Sequence, residues 1–251
     1  MSGPALRPAV PSCIVVLKVK DGAILGFPGV LSIILVVRIQ HMAPKRPWLE
    51  GGHGLIFSIE LILEAPNMLI EVEKSCLLVI DVQAKLAPTI DEIERVIANT
   101  AKLLKGAALL GAPVLVSEQY PKGLGATVEV LASLLPEGCA VIEKVSFSCM
   151  SDGNYVRRFT GMGREQAVIA GIEAHVCVLQ TAMELLGRGV HVFVAADAVS
   201  SRTIENHQTA LSRMQAAGAH MVTTEMVLFE WLRRSDAPQF KEISKLIKEP
   251  S

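Results

Sequence analysis

From Cys76 onward, short apolar runs alternate with longer segments in which apolar residues recur every three or four positions. Continuous short runs are typical of buried parallel strands, and the longer periodic segments are typical of helices that cover a sheet. Six runs fit the strand pattern: CLLVIDV, APVLVSE, CAVIEKV, QAVIAGI, VHVFVAA and AHMVTT. The sequence therefore predicts a three-layer α/β domain with a Rossmann-like fold, in which a six-stranded parallel sheet is covered by helices on both faces.

Amphipathic segments fill the intervals between these runs. In the first of them, Ile93, Val96 and Ile97 recur on one face, which is the period of a helix. The predicted helices cover residues 90–111, 127–135, 154–163, 174–189, 203–218, 225–234 and 239–249. Four glycines stand where a left-handed C-terminal cap is expected: Gly111, Gly161, Gly189 and Gly218.

The first 67 residues follow a different pattern and are net basic, whereas the rest of the chain is net acidic. They contain an uncharged stretch, Gly22–Val37, which is shorter than the roughly 20 residues that span a bilayer and lacks the arrangement of a signal peptide. Three interpretations stay open: a mis-assigned start, a membrane anchor and a genuine extension. We expect residues 1–67 to lie outside the domain, residues 68–251 to form it, and membrane association to be absent.

Composition narrows the class of protein. The chain has 251 residues, 51% of them hydrophobic and 20% charged, with a net charge of -1. These values exclude a disordered chain and a strongly basic nucleic-acid binder, so no nucleic-acid partner is expected. Five cysteines form neither a CxxC pair nor a zinc-type spacing, and the domain is large enough to need no disulfides. We therefore expect reduced thiols in a cytoplasmic protein.

Chemically active side chains follow several of the predicted strands. Asp81 follows the first strand, Lys144 lies at the end of the third, and Cys177 follows the fourth. Ligands of open parallel sheets bind at the carboxyl ends of the strands, so these three side chains are expected to converge. The alternative interpretation is a structural Asp81–Lys144 ion pair beside a core cysteine.

Cys177 is the stronger nucleophile candidate because it lies near the start of a predicted helix. The positive end of a helix dipole favours an anion, which predicts a lowered pKa for this thiol. Asp81 is a candidate proton acceptor, and Lys144 would orient both groups. Cys149, in the polar segment SFSCMSDG, is the rival thiol.

Five segments in order carry a resemblance: LLVIDVQ, SEQYPKGLG, EKVSFS, GIEAHVCVLQTAMEL and AADAVSSR. They resemble the isochorismatase-like hydrolase superfamily, in particular its isochorismatase domain-containing protein branch, from about Met68 to the end. The resemblance implies an Asp-Lys-Cys triad at Asp81, Lys144 and Cys177. It also implies a non-proline cis peptide before Glu173, an oxyanion hole formed by the backbone N–H groups of Glu173 and Cys177, and a homo-oligomer.

Two departures from the wider superfamily bear on the chemistry. Its metal-binding members carry an Asp-x-His motif in the loop that here reads SEQYPKGLG, so no metal and no other cofactor are expected. Members that hydrolyse isochorismate lack the cysteine, so Cys177 argues against that reaction.

The sequence thus predicts a metal-independent cysteine hydrolase, an amidohydrolase for a small amide or carbamoyl-type substrate that reacts through a thioester. Candidate substrate-binding residues, which lie just past strand ends, are Gln83, Tyr120, Phe147 and His175. Two rivals stay open: a catalytically weak binding module, and a redox-active thiol protein in which Cys149 would act as the resolving partner.

Overall fold

The computed structural model of the chain describes residues 68–249 and, within residues 1–67, the backbone of three strands. The chain divides into two units, Met1–Met68 and Leu69–Ser251. The strands of the first unit are β1 (Cys13–Val19), β2 (Ile33–His41) and β3 (Leu55–Leu63), which pair antiparallel in that order.

The uncharged stretch Gly22–Val37 falls outside the described residues except for its last five positions, which open β2. The role of residues 1–67 as an extension stays a prediction. Among the described residues, no helix is both long and apolar enough to cross a membrane.

The second unit contains the parallel sheet that the apolar runs predict. Its strands are β4 (Ser75–Ile80), β5 (Val114–Gln119), β6 (Ala140–Lys144), β7 (Gln166–Ile172), β8 (His191–Ser200) and β9 (His220–Val222). Their spatial order is β6-β5-β4-β7-β8-β9, and every neighbouring pair is parallel. The predicted fold class is confirmed.

The helices between the strands match the amphipathic segments, with shorter bounds. They are α1 (Ile93–Leu110), α2 (Pro121–Leu124), α3 (Glu129–Ala132), α4 (Gly153–Gly161), α5 (Leu179–Gly187), α6 (Ile204–Ala216), α7 (Thr224–Leu232) and α8 (Phe240–Lys248). The one-turn helix α2 was not predicted from the sequence, because its four residues are too few to show a period.

One predicted helix cap is wrong. Gly111 caps α1 in the left-handed conformation with φ 79°, as expected. Gly161, however, is the last residue of α4, which Met162 caps in a right-handed conformation. The left-handed residue there is Gly163, with φ 61°. The sequence offers two glycines in GMG, and the helix continues past the first.

The sheet centre is fully buried. All residues of β4 and of β7 are buried, because both strands have neighbours on either side and helices above and below. The chain first builds outward from β4 through β5 to β6, and then returns to the other side of β4 with β7. This reversal is the topological switch point of an open α/β sheet, and a crevice opens there at the carboxyl ends of the strands.

Gly171 allows β7 to pass close to β4 at this point. Its φ is 128°, and a Cβ placed on it would overlap the carbonyl oxygen of Ile80. Only glycine tolerates both the backbone conformation and the contact. The next residues of β7 therefore lie directly beside the residues that follow β4.

Candidate active site

Asp81, the first residue after β4, is completely buried and adopts a left-handed backbone conformation with φ 52°. Its carboxylate accepts two hydrogen bonds: Ser117 Oγ donates to Oδ1 at 2.7 Å, and Lys144 Nζ donates to Oδ2 at 2.7 Å. Each oxygen therefore has its own donor, and one of the donors is a cation.

Lys144, the last residue of β6, reaches across β5 to Asp81. Its ammonium also donates to Gln119 Oε1 at 2.9 Å and to the carbonyl oxygens of Phe147 and Ser146 at 3.1 and 3.2 Å. Burial is the largest single influence and favours the neutral amine, but the charge and hydrogen bond of Asp81 together with the two nearby thiols outweigh it and raise the pKa of Lys144 above its usual value. Lys144 is thus a fixed cation at neutral pH.

Cys177 lies in the widened helical turn Ala174–Val178, between β7 and α5, and its side chain is 5% exposed. Burial and the negative charge of Asp81 raise the pKa of this thiol, and Lys144 only partly opposes them. The predicted lowering of the pKa is therefore wrong. Cys177 does stand at a helix start, but desolvation and the neighbouring carboxylate outweigh the dipole, so the resting thiol is protonated.

Cys149 lies deeper than Cys177 and is fully buried. Its Sγ donates to Ser117 Oγ at 3.4 Å, and its backbone N–H donates to Thr181 Oγ1 at 2.9 Å. Burial and the charge of Asp81 raise the pKa of the Cys149 thiol to about 11. The rival cysteine is therefore close to Asp81 but shielded from solvent.

The peptide bond between Ile172 and Glu173 is cis, at the position that the resemblance implies. Glu173 follows this bond and directly precedes the turn Ala174–Val178, which contains Cys177. Its carboxylate turns away to Arg202, which donates from Nε at 2.7 Å and from Nη2 at 3.1 Å. The N–H of Glu173 thus lies at the start of the turn that carries the sulfur of Cys177.

The four predicted substrate-binding residues have different surroundings. Gln83 is buried, and its amide group is bonded to the backbone of Gln119 and of Gly125. Tyr120 and Phe147 are 55% and 54% exposed. His175 is half-buried, and its Nδ1 lies 3.0 Å from Ser201 Oγ. Tyr120, Phe147 and His175 therefore keep surface for a ligand, whereas Gln83 mainly ties the loops together.

A cavity of about 410 Å³ opens next to the ion pair. Lys144 belongs both to its lining and to the contact with Asp81. The lining residues are Tyr120, Pro121, Lys122, Glu143, Lys144, Val145 and Asp152. Within the described residues, no group of three or more His, Cys, Asp or Glu side chains is placed to hold a metal ion.

The comparison with protein families decides the family. The sequence profile of the isochorismatase domain matches residues 75–226, which is more than half of the chain. The chain belongs to the isochorismatase family. The resemblance seen in the five segments is confirmed, and membership of this family indicates a hydrolase.

Individual relatives agree with this assignment. Isochorismatase domain-containing protein 2 of Danio rerio is 42% identical over 178 residues, which cover 70% of this chain and 88% of the relative. The solved structure of MAR1 ribonuclease from Caenorhabditis elegans is 39% identical and has a TM-score of 0.69, and the match covers 73% of this chain and 95% of that one. The structure of the YcaC gene product of Escherichia coli, described as an octameric hydrolase of unknown specificity, has a TM-score of 0.70 and 23% sequence identity. This match covers 73% of this chain and 91% of that one. At such an identity it supports the fold alone.

Three residues of this isochorismatase domain that touch the site were not singled out from the sequence: Ser117, Thr181 and Arg202. Ser117 had a detectable signal, because it is a fully buried polar residue that ends the apolar run of β5. Thr181 and Arg202 lie in the matching segments GIEAHVCVLQTAMEL and AADAVSSR, but a threonine in a helix and an arginine after a strand gave no chemical signal of their own.

Proposed function

We propose that this protein is a metal-independent cysteine hydrolase, an amidohydrolase for a small amide or carbamoyl-type substrate that reacts through a thioester. The observation that carries the proposal is the grouping of three side chains from three strand ends: a buried carboxylate, a lysine bonded to one of its oxygens at 2.7 Å, and a barely exposed thiol that interacts with the same carboxylate. We assign catalytic roles to Asp81, Lys144 and Cys177.

In the first step, Cys177 attacks the substrate carbonyl carbon. A new C–S bond forms as the thiol proton moves to Asp81, and the carbonyl π electrons move onto oxygen. The raised pKa of the thiol supports this order, because the proton leaves only when an acceptor and an electrophile are both in place. Lys144 holds the carboxylate in place until that moment through its 2.7 Å hydrogen bond to Oδ2.

The developing oxyanion needs donors that are fixed before the reaction. We assign this role to the backbone N–H groups of Glu173 and Cys177. The position of these groups supports the assignment, because Glu173 directly precedes the turn that contains Cys177, and Arg202 holds the Glu173 carboxylate in an ion pair. As the C–N bond breaks, Asp81 returns its proton to the departing amine or ammonia.

Water then hydrolyses the thioester. Asp81 accepts a proton from the water as its oxygen attacks the acyl carbon, and the C–S bond breaks as the proton passes from Asp81 to the sulfur of Cys177. The product acid leaves, and the enzyme returns to its starting state. No metal or cofactor takes part in these steps, and the loop SEQYPKGLG offers no histidine to bind one.

The dimensions of the site favour a small substrate. Cys177 is only 5% exposed, so the reacting carbonyl must enter a narrow crevice. We propose three side chains as contacts for the remainder of the substrate: Tyr120, Phe147 and His175. Gln83 would stabilise the nearby loops through its hydrogen bonds to the backbone. A cytoplasmic location and a homo-oligomeric assembly complete the proposal.

The test is a hydrolysis screen with the full chain over nicotinamide, carbamoyl-amino acids, ureido acids and simple amides. We expect Cys177→Ala to lower kcat by at least about a thousandfold. Cys139→Ala is the matched control and should retain most of the turnover, because its half-buried thiol contacts the backbone at Val114 and Ala140. Quenched samples of the wild type should show the acyl group as an added mass on the peptide that contains Cys177.

Other outcomes of this screen would contradict the proposed mechanism or favour a different function. Turnover that survives Cys177→Ala would refute the covalent mechanism. Substrate binding without turnover in the wild type would favour a binding module. Because one relative is named a ribonuclease, single-stranded RNA is included in the screen, and we expect no cleavage of it. If RNA is cleaved and substitutions of Asp81, Lys144 or Cys177 abolish the cleavage, a ribonuclease function would replace the amide proposal.

A further inference from the structure

A second group of buried side chains lies next to Asp81. Ser117 and Cys149 are both fully buried, and they lie in series with the carboxylate. Ser117 Oγ is 2.7 Å from Asp81 Oδ1, and Cys149 Sγ is 3.4 Å from Ser117 Oγ. The triad chemistry described above uses neither of them.

The directions of these hydrogen bonds follow from the charges. An ionised carboxylate has no proton to offer, so the single hydroxyl proton of Ser117 must point to Asp81. The oxygen of Ser117 can then only accept, and the proton it accepts is that of the Cys149 thiol. The result is a one-way chain of donors from Cys149 through Ser117 to Asp81.

We propose that Ser117 and Cys149 are positioning residues for the reaction: Ser117 fixes and stabilises the ionised Asp81, and Cys149 fixes Ser117. The proposal rests on the proposed function, because it gives Asp81 the role of proton acceptor. With Ser117 on one oxygen and Lys144 on the other, the carboxylate cannot rotate away from the nucleophile.

The same pair also links the base to the element that carries the nucleophile. The backbone N–H of Cys149 donates to Thr181 Oγ1 at 2.9 Å. Thr181 lies in α5, one helical turn after Cys177, and is fully buried. A shift of the Cys149 loop would therefore change the position of Asp81 through Ser117. It would also change the position of Cys177 through Thr181.

Cys149 does not fit the role of a second nucleophile. Its side chain is 0% exposed, its proton is already directed to Ser117, and burial raises the pKa of its thiol to about 11. An electrophile could reach the sulfur only by displacing the loop.

The groups that face Asp81 determine which titrations the test can detect. Besides Ser117, which does not titrate, they are Lys144 from β6, Cys149 from the loop after β6, Cys177 from the turn before α5, and Tyr155 from α4. The pKa values of all four are raised, so all four keep their protons below about pH 8. The Asp81→Asn variant tests whether an acidic limb in the reactivity of Cys177 depends on Asp81.

The experiment measures alkylation of Cys177 by iodoacetamide from pH 4 to 8, followed by peptide mass spectrometry on the full chain. In this reaction the sulfur–carbon bond forms, iodide leaves, and the thiol proton passes to Asp81. A carboxylate that has lost one hydrogen-bond donor holds a proton more tightly. Ser117→Ala should therefore move the acidic limb to higher pH by about one unit.

The Cys149 variants separate positioning from packing. Cys149→Ala leaves Ser117 without its donor, and we expect a shift in the same direction with about a threefold loss of rate on the acidic side. Cys149→Ser restores a donor at the same place and should rescue the profile. Cys139→Ala is the matched control, because its half-buried thiol lies before β6 and bonds only to the backbone, at Val114 and Ala140.

The outcomes are distinct. An unchanged limb in Ser117→Ala would overturn the positioning role, even if hydrolysis by Cys177 is established. Equal effects of Cys149→Ala and Cys149→Ser would also overturn it, because packing alone would then account for both. If Ser117→Ala does not fold, as judged by circular dichroism, the two Cys149 variants still decide the question. Failure of the proposed function would appear separately, as an Asp81→Asn variant with an unaltered alkylation profile.

Discussion

Replacing Lys144 by methionine tests how strongly the buried ion pair constrains the fold. The side chains of Lys144 and Asp81 are both 0% exposed, and their atoms are 2.7 Å apart. Methionine fills a similar volume but leaves the Asp81 carboxylate buried beside apolar atoms. Removing one partner of a buried pair costs about 3–5 kcal/mol, against a total stability of roughly 5–15 kcal/mol for a domain. Lys144→Met should therefore lose at least about a fifth of the free energy of unfolding.

Urea unfolding followed by tryptophan fluorescence measures this loss. The chain has two tryptophans, so all proteins carry Trp48→Phe and the signal comes from Trp231. Trp231 is a sensitive reporter, because it is 3% exposed and its Nε1 donates to Ser75 Oγ at 2.8 Å. With a urea slope of about 2 kcal/mol per molar, the midpoint should fall by about 2 M.

Two further variants make the prediction refutable. Lys105→Met is the same substitution in a half-exposed pair with Glu249, at 3.0 Å, and should cost no more than about 1 kcal/mol. The double variant Lys144→Met with Asp81→Asn removes both charges and should recover a large part of the stability. If Lys144→Met costs no more than Lys105→Met, or if the double variant is as unstable as the single one, the reasoning is wrong.

Two other predictions concern stability. Gly171→Ala should lower Tm by about 5 °C or more, because a Cβ would overlap the carbonyl oxygen of Ile80 at a φ of 128°. Gly187→Ala, which meets no atom within 4 Å at the end of α5, should leave Tm unchanged or raise it, and equal effects of the two would contradict the argument. Alkaline pH should also destabilise the fold, because burial raises the pKa of Cys149 to about 11 and of Cys76 to about 12. Unfolded thiols lose their protons near pH 9 while the native ones keep them, so the urea midpoint should fall as pH rises from 9 to 11, and a flat profile would contradict this.

The fold could be predicted because its determinants are local. Each strand of the parallel sheet coincides with an apolar run, and the two central strands β4 and β7 are buried along their whole length. The position of the site followed from the same pattern, since Asp81, Lys144 and Cys177 are each found at or just after the end of a strand. Short elements such as α2 have too few residues to show a period, and their positions depend on tertiary contacts.

The electrostatics of the site could not be predicted in the same way. The expected lowering of the Cys177 pKa used only the helix start, which is visible in the sequence. The opposing effects are desolvation and the Asp81 charge, and both depend on side chains more than 90 residues apart meeting in a buried crevice. The role of Gln83 was obscured for a similar reason, because its backbone partners at Gln119 and Gly125 come from a distant loop.

The protonated resting state of Cys177 changes what its reactivity should look like. A pre-formed thiolate would react with any sufficiently reactive electrophile that reaches it. Here burial and the charge of Asp81 keep the proton on sulfur, and in the proposed mechanism Asp81, which Lys144 holds in place, accepts that proton only during the attack. Reaction then requires an electrophile that fits the crevice, so that bond formation and proton transfer occur together. In the proposed mechanism the buried ion pair thereby provides selectivity, because the thiol would become a nucleophile only against a correctly bound substrate.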